Sequence, residues 1–242
     1  MNCKMNHKWI FRIFLILESI IYIRFLYLDI SRNENYDLIA YIKYSGIVLC
    51  VIFQFLYYWK QKNDTIILRF AILGTAFADY FLVIAEDNTP GVLMFMIVQL
   101  LYMVRITNID RTKENKIRVL SFRYIMILLN TSVISMILLY FKVYVDFLFM
   151  ITCIYFQSLV VNVVCAVKIT VKNKKVTSNR IFAIGMVLFL LCDINVGLFN
   201  LSQYMTLQDG IYLAIYNISS IAMWLFYLPS QVMISISESR DR

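Results

Sequence analysis

Residues 180–202 read RIFAIGMVLFLLCDINVGLFNLS. After Arg180 the stretch carries a single charge, Asp193, in an otherwise apolar run. A run of about twenty apolar residues is long enough to cross the hydrocarbon of a bilayer as an α-helix. A barrel strand would instead show roughly ten residues of alternating polarity. Lipid leaves only helices and closed barrels as spanning structures, because every backbone polar group must be satisfied internally. This stretch therefore predicts a transmembrane helix with a carboxyl partway along it.

The rest of the chain repeats the pattern. Spans are expected at about 9–28, 38–59, 65–84, 91–107, 117–140, 145–168, 180–202 and 210–236. The predicted fold class is all-α, a polytopic bundle of about eight transmembrane helices forming a single domain over residues 1–242. Hydrophobic residue types make up 61% of the 242 residues, more than an aqueous domain of this size can bury. Two prolines and six glycines leave few turns and long elements.

Charge orients the bundle. With the N-terminus inside, the inner segments carry Lys4 and Lys8; Lys60 and Lys62; Arg105, Arg111, Lys113, Lys116 and Arg118; Lys168, Lys172, Lys174, Lys175 and Arg180; and Arg240 and Arg242. The outer connections hold only Arg32 and Lys142, and none around Glu86, Asp87 or Asp209. Short basic loops stay in the cytoplasm, so both termini are expected there, in a bacterial plasma membrane. The net charge of +8 then reflects that inner face and suits anionic headgroups, with no need for nucleic acid.

Several chemistries are excluded. The cysteines (Cys3, Cys50, Cys153, Cys165 and Cys192) have no metal-ligand spacing and read as small apolar core residues. His7 is the only histidine and has no partner cluster, so neither a zinc site nor a Ser-His-Asp triad is expected. No ATP or dinucleotide motif occurs, so no cofactor is expected. The first apolar run lacks a small-residue cleavage site, which argues against a cleaved signal peptide.

The informative residues are those that lipid disfavours. Glu18, Lys43, Asp79 and Asp193 fall within spans, where a charge costs at least a few kcal/mol. Glu18 interrupts the first span together with Arg12 and Arg24, and must face the bundle interior or a polar partner. By span direction Lys43, Asp79 and Asp193 reach a similar depth in the middle or outer membrane. Residues at i, i+3, i+4 and i+7 share a helix face. Thr75 joins Asp79; Asp193, Gly197 and Asn200 form one stripe; Tyr155, Ser158 and Asn162 another; Gln99 pairs with Tyr102. Tyr216, Ser220, Trp224, Tyr227 and Gln231 run along the last span. These faces predict a polar cavity within apolar walls. The alternative for Gln99, Ser158 and Asn162 is interhelical hydrogen bonding alone, and for Lys43 it is snorkelling to the interface. The aspartates resist that reading, since Asn or Ser would bond helices at a smaller desolvation cost.

The stretch 71–105, AILGTAFADYFLVIAEDNTPGVLMFMIVQLLYMVR, resembles the third and fourth helices of the YhhN family of lysoplasmalogenases, where a Gly-Asp ends one helix and a His-x-x-Tyr sits in the next. The stretch 184–202, IGMVLFLLCDINVGLFNLS, is similar to the family's Gly-x-x-x-Phe-x-x-Ser-Asp helix, and 226–235, FYLPSQVMIS, to its closing Tyr-Tyr-x-x-Gln-x-x-Ile segment. Lys43 matches a lysine opening the second helix. The chain departs from the pattern at Ala78 for glycine, Cys192 for serine and Gln99 for histidine. The last change puts proton transfer, rate or substrate choice in question.

The resemblance implies hydrolysis of the vinyl ether bond of a lysophospholipid, giving a fatty aldehyde and a glycerophospho-base. Such hydrolysis begins with protonation of the alkenyl carbon and proceeds through an oxocarbenium ion that water attacks. One group must carry a proton at neutral pH, which burial favours for a carboxyl, and an ionised partner stabilises the cation. Asp79 and Asp193 are the expected catalytic pair. Lys43, Gln99, Tyr102, Asn162, Asn200, Tyr227 and Gln231 are the expected substrate-binding residues. The expected partners are the lysolipid and surrounding membrane lipids, with no soluble partner. Two other readings stay open: a proton-coupled lipid or solute carrier, for which no inverted repeat or broken Gly/Pro-rich helix pair is visible, and a non-catalytic lipid-binding protein.

Overall fold

A computed structural model of the chain describes residues 7–31, 35–57, 63–110, 115–142, 145–173, 176–200 and 209–238. The basic residues Lys4, Arg32, Lys60, Lys62, Arg111, Lys113, Lys174, Lys175, Arg240 and Arg242, and Cys3, lie outside the described residues, as does the side chain of Asp209.

Eight α-helices make up the described chain: α1 (His7–Ile30), α2 (Tyr36–Tyr57), α3 (Asn63–Asp79), α4 (Asn88–Ile109), α5 (Lys116–Tyr140), α6 (Phe147–Lys172), α7 (Thr177–Phe199) and α8 (Asp209–Ile236). Each expected span coincides with one of them to within a few residues. Seven helices are long and apolar enough to cross a membrane. The eighth, α1, carries Arg12, Glu18 and Arg24 and packs along α2 and α8. Short polar residues start several helices. Asp87, Asn115 and Asp146 accept hydrogen bonds from Thr89 N, Arg118 N and Phe149 N, satisfying amides that the helices cannot.

α2, α3, α4, α6, α7 and α8 form a ring in which each packs on the next, closed by α8 against α2. α1 lies outside against α2 and α8, and α5 outside against α4 and α6. The helices alternate in direction, so the start of α1 and the end of α8 share one face, here called proximal; the α1–α2 connection lies on the distal face. Large apolar side chains such as Ile13, Ile20, Phe70, Leu129 and Met136 point outward and are exposed, as lipid-facing residues must be. α7 and α8 approach each other closely. A Cβ on Gly185 would come 3.1 Å from both Ser230 O and Ile234 N, so only glycine allows this spacing.

Two local irregularities interrupt the regular helices. α3 passes directly into a π turn, Tyr80–Ile84, beginning at the residue after Asp79. Such widened turns are rare and concentrate at functional sites. In α8, Pro229 has no amide hydrogen, which leaves the carbonyl of Leu225 without its intrahelical donor. The Tyr22 hydroxyl of α1 donates to that carbonyl at 3.0 Å.

Candidate active site

Asp79 is the last α-helical residue of α3 and is 3% exposed. Its Oδ2 accepts a hydrogen bond from the Tyr227 hydroxyl of α8 at 2.6 Å. Asp193 lies near the distal end of α7 and is half-buried, and its Oδ2 accepts one from the Tyr155 hydroxyl of α6. Two tyrosines from two helices thus hold two carboxyls from two others. The arrangement is tied together by Phe95 of α4, whose ring centre lies 5.7 Å from Tyr155 and 6.5 Å from Tyr227. Phe189, one turn before Asp193, meets Phe95 and Tyr227, each at 5.7 Å. The two carboxyls thus share one aromatic neighbourhood. With Lys43 they lie within about two helical turns, roughly 10 Å, of the distal face, the shared depth that span direction suggested.

Asp193 is the more open of the pair. One turn beyond it, no described atom lies within 4 Å of where a Cβ on Gly197 would stand. Asn200 closes α7 at this end, donating through Nδ2 to Val196 O at 2.9 Å. The floor of the site is the α4–α6 seam. Asn162 Nδ2 donates to both the carbonyl and the Oε1 of Gln99, each at 2.9 Å, and both residues are fully buried. Gln99 Nε2 and Asn162 Oδ1 keep unused hydrogen-bonding capacity. Tyr102, one turn deeper, packs its ring on Phe182 at 5.7 Å. Gln231, one turn below Tyr227, is fully buried with Nε2 3.4 Å from Ser230 Oγ. Ser158 is buried but returns its hydroxyl to Ile154 O, as a residue with only a packing role does.

Lys43 bonds to neither Asp79 nor Asp193. Its Nζ donates to Asp29 Oδ1 at 3.0 Å and sits 5.0 Å from the Trp224 ring. Trp224 meets Tyr227 edge-on at 5.3 Å, so one aromatic ring separates the lysine from the Asp79–Tyr227 pair. Asp29 had no signal of its own in the sequence, since it closes the first span at an expected interface. Glu18 does face the interior: it is 4% exposed and accepts from Cys50 Sγ at 3.4 Å.

Arg105, expected among the inner-loop charges, is instead fully buried at the proximal end of α4. It donates to Asp64 Oδ1 and Oδ2 at 2.9 and 3.2 Å, and to Ser237 Oγ and O at 2.9 and 2.7 Å. Its guanidinium lies 4.4 Å from the Phe182 ring centre. A small apolar cavity lies nearby, lined by Ile106, Ile109, Ala166, Ile169, Asn179 and Phe182, away from both aspartates. Among the described residues no group of three metal-ligating side chains occurs.

No curated protein and no solved structure matches this sequence. The sequence pattern of the YhhN family matches residues 38–237, from the start of α2 to the end of α8 and including both tyrosine-bonded aspartates; this multi-pass membrane protein belongs to the YhhN family.

Proposed function

We propose that the protein hydrolyses the vinyl ether bond of a lysophospholipid of the lysoplasmalogen type. The observation that carries this reading is the pair of carboxyls, each held by one tyrosine and both set around Phe95, at a depth that a lysolipid's glycerol reaches from the distal face. Family membership is consistent with it.

The more open carboxyl is the one water reaches, which assigns the roles. Asp79 delivers its proton to the outer alkenyl carbon; a C–H bond forms as the double bond is lost, leaving an oxocarbenium ion. Asp193, ionised, stabilises that cation and takes a proton from the water that attacks it. The resulting hemiacetal collapses. Its C–O bond to glycerol breaks, Asp193 returns its proton to the departing oxygen, and the hemiacetal hydroxyl restores the proton of Asp79. One water is consumed, and aldehyde and glycerophospho-base are released. The division between an acid and an ionised carboxyl follows the logic of glycoside hydrolysis. Tyr227 and Tyr155 fix the carboxyls so that one oxygen of each faces the substrate. On the basic loop residues, we place the proximal face in the cytoplasm of a bacterium.

The test is aldehyde release from a panel of alkenyl and acyl lysolipids by the purified protein in detergent. Release from the alkenyl members that disappears in both Asp79→Asn and Asp193→Asn supports the reading. Movement of lipid or solute into liposomes with no aldehyde overturns it.

A further inference from the structure

The ion pair between Asp29 of α1 and Lys43 of α2 is placed where a structural bridge is least useful. Both side chains are 12% exposed, and a pair so little hydrated gains little stability over apolar residues of similar size. The α1–α2 contact is already supplied by aromatic stacking, with Phe14 on Phe53 at 4.0 Å. The Lys43 ammonium lies over two rings, Trp224 at 5.0 Å and Phe25 at 5.8 Å. Trp224 and Phe25 themselves meet edge-on at 6.1 Å. An ammonium between aromatic faces beside a carboxylate is the geometry that recognises substituted ammonium ligands. Here the ammonium in the box belongs to the protein.

We infer that Asp29, Lys43, Trp224 and Phe25 form a headgroup clamp that selects lysolipids bearing both a phosphate and an amine. On binding, Lys43 exchanges Asp29 for the phosphate, while Asp29 and the vacated rings take the substrate's ammonium. The exchange is charge-balanced: one internal pair opens and two intermolecular pairs form, so no charge is stranded in a poorly hydrated site. An anionic headgroup without an amine would satisfy Lys43 and leave Asp29 unpaired. The clamp lies one aromatic ring from Tyr227 and Asp79, matching the short glycerol that separates a headgroup from its alkenyl ether. The inference rests on the lysolipid reading of the catalytic site. Asp29 and Phe25 lie in α1, before the residues that the family pattern covers.

Binding tests it without requiring turnover. Trp9 and Trp59 are replaced by phenylalanine so that Trp224, the remaining tryptophan, reports occupancy. The probes are lysophosphatidylcholine and lysophosphatidylglycerol, both acyl lipids without a vinyl ether, with glycerophosphocholine and inorganic phosphate as soluble controls. The expected result is a preference of about tenfold for the choline lipid, because its ammonium occupies the box. Asp29→Asn removes that preference, Lys43→Gln weakens both lipids, and Lys43→Arg largely restores them. The exchanged pair Asp29→Lys with Lys43→Asp keeps a bridge between the helices and guards against misfolding; it loses the headgroup preference although its melting is unchanged. Equal affinity for both lipids in the parent, or the parental preference persisting in the exchanged pair, overturns the clamp. Saturation by glycerophosphocholine as tight as by the lysolipid overturns the lipid assignment. Asp79→Asn with Asp193→Asn retains the headgroup preference, so loss of the catalytic reading and loss of the clamp are read separately.

Discussion

Asp64 and Asp79 stand at opposite ends of α3 and are held in opposite ways. Asp64 meets both nitrogens of one edge of a fully buried guanidinium, and Arg105 extends the grip to the end of α8 through Ser237, whose carbonyl also accepts from Ser178. Among the described residues Asp79 receives one tyrosine hydroxyl and no cation. The proximal end thus neutralises its acid within a network that joins α3, α4, α7 and α8. The distal end orients its acid and leaves the charge state free to change. A carboxylate locked by arginine makes a poor proton donor, and a carboxyl that only a hydroxyl holds makes a poor structural anchor. The difference separates the carboxyl that holds the bundle together from the pair suited to chemistry.

Breaking the distal side has the largest expected effect. Asp79→Asn and Asp193→Asn each lower kcat for aldehyde release by about 10²–10⁴-fold, the usual contribution of a positioned acid or base, while thermal melting in detergent changes little. A wild-type rate in either variant places the chemistry elsewhere. Breaking the proximal side reverses the pattern. Arg105→Met strands Asp64 and removes the donors to Ser237, and stability falls by about 3–5 kcal/mol on denaturation. The fraction that remains folded keeps its kcat.

Smaller changes sharpen the contrast. Tyr227→Phe takes from Asp79 its one side-chain donor among the described residues without altering the aromatic packing, and kcat falls by about tenfold, in line with a hydrogen bond of roughly 1.5 kcal/mol to an ionisable group. Tyr155→Phe has a smaller effect, because half-buried Asp193 is open to replacement by water; equal losses in the two variants would remove that distinction. Asn162→Ala has the smallest effect, about 1 kcal/mol of stability with kcat within a factor of two or so, if the amide pair with Gln99 only joins α4 to α6. A larger loss of kcat puts that pair in the catalytic machinery.

Most of the architecture was legible because lipid imposes a blunt rule. A run such as 180–202 has no stable alternative to a helix, and α7 ends within a few residues of the expected limit. The depth of Asp79 and Asp193 was readable for the same reason: rise per residue and alternating direction fix it. What helix spacing could not give was partnership across helices. Tyr155 shares a stripe with Ser158 and Asn162, yet of the three only Tyr155 bonds to a carboxyl, that of Asp193. Arg105 looked like a loop charge because it follows an apolar run. Its burial depends on Asp64 lying far away in sequence and on Ser237 returning from the end of the chain. Asp29 had the same problem, since a carboxylate at a helix end reads as hydrated until a lysine from the next helix is found beside it.

Pro229 has a consequence for how the chain is assembled. By freeing the Leu225 carbonyl, it gives the last helix an acceptor that the first helix fills through Tyr22. α1 precedes α8 in the chain, so the Tyr22 bond to this carbonyl forms only once α8 is in place. Replacing the proline with alanine would let α8 satisfy its own backbone and leave the Tyr22 hydroxyl to compete for a carbonyl already bonded.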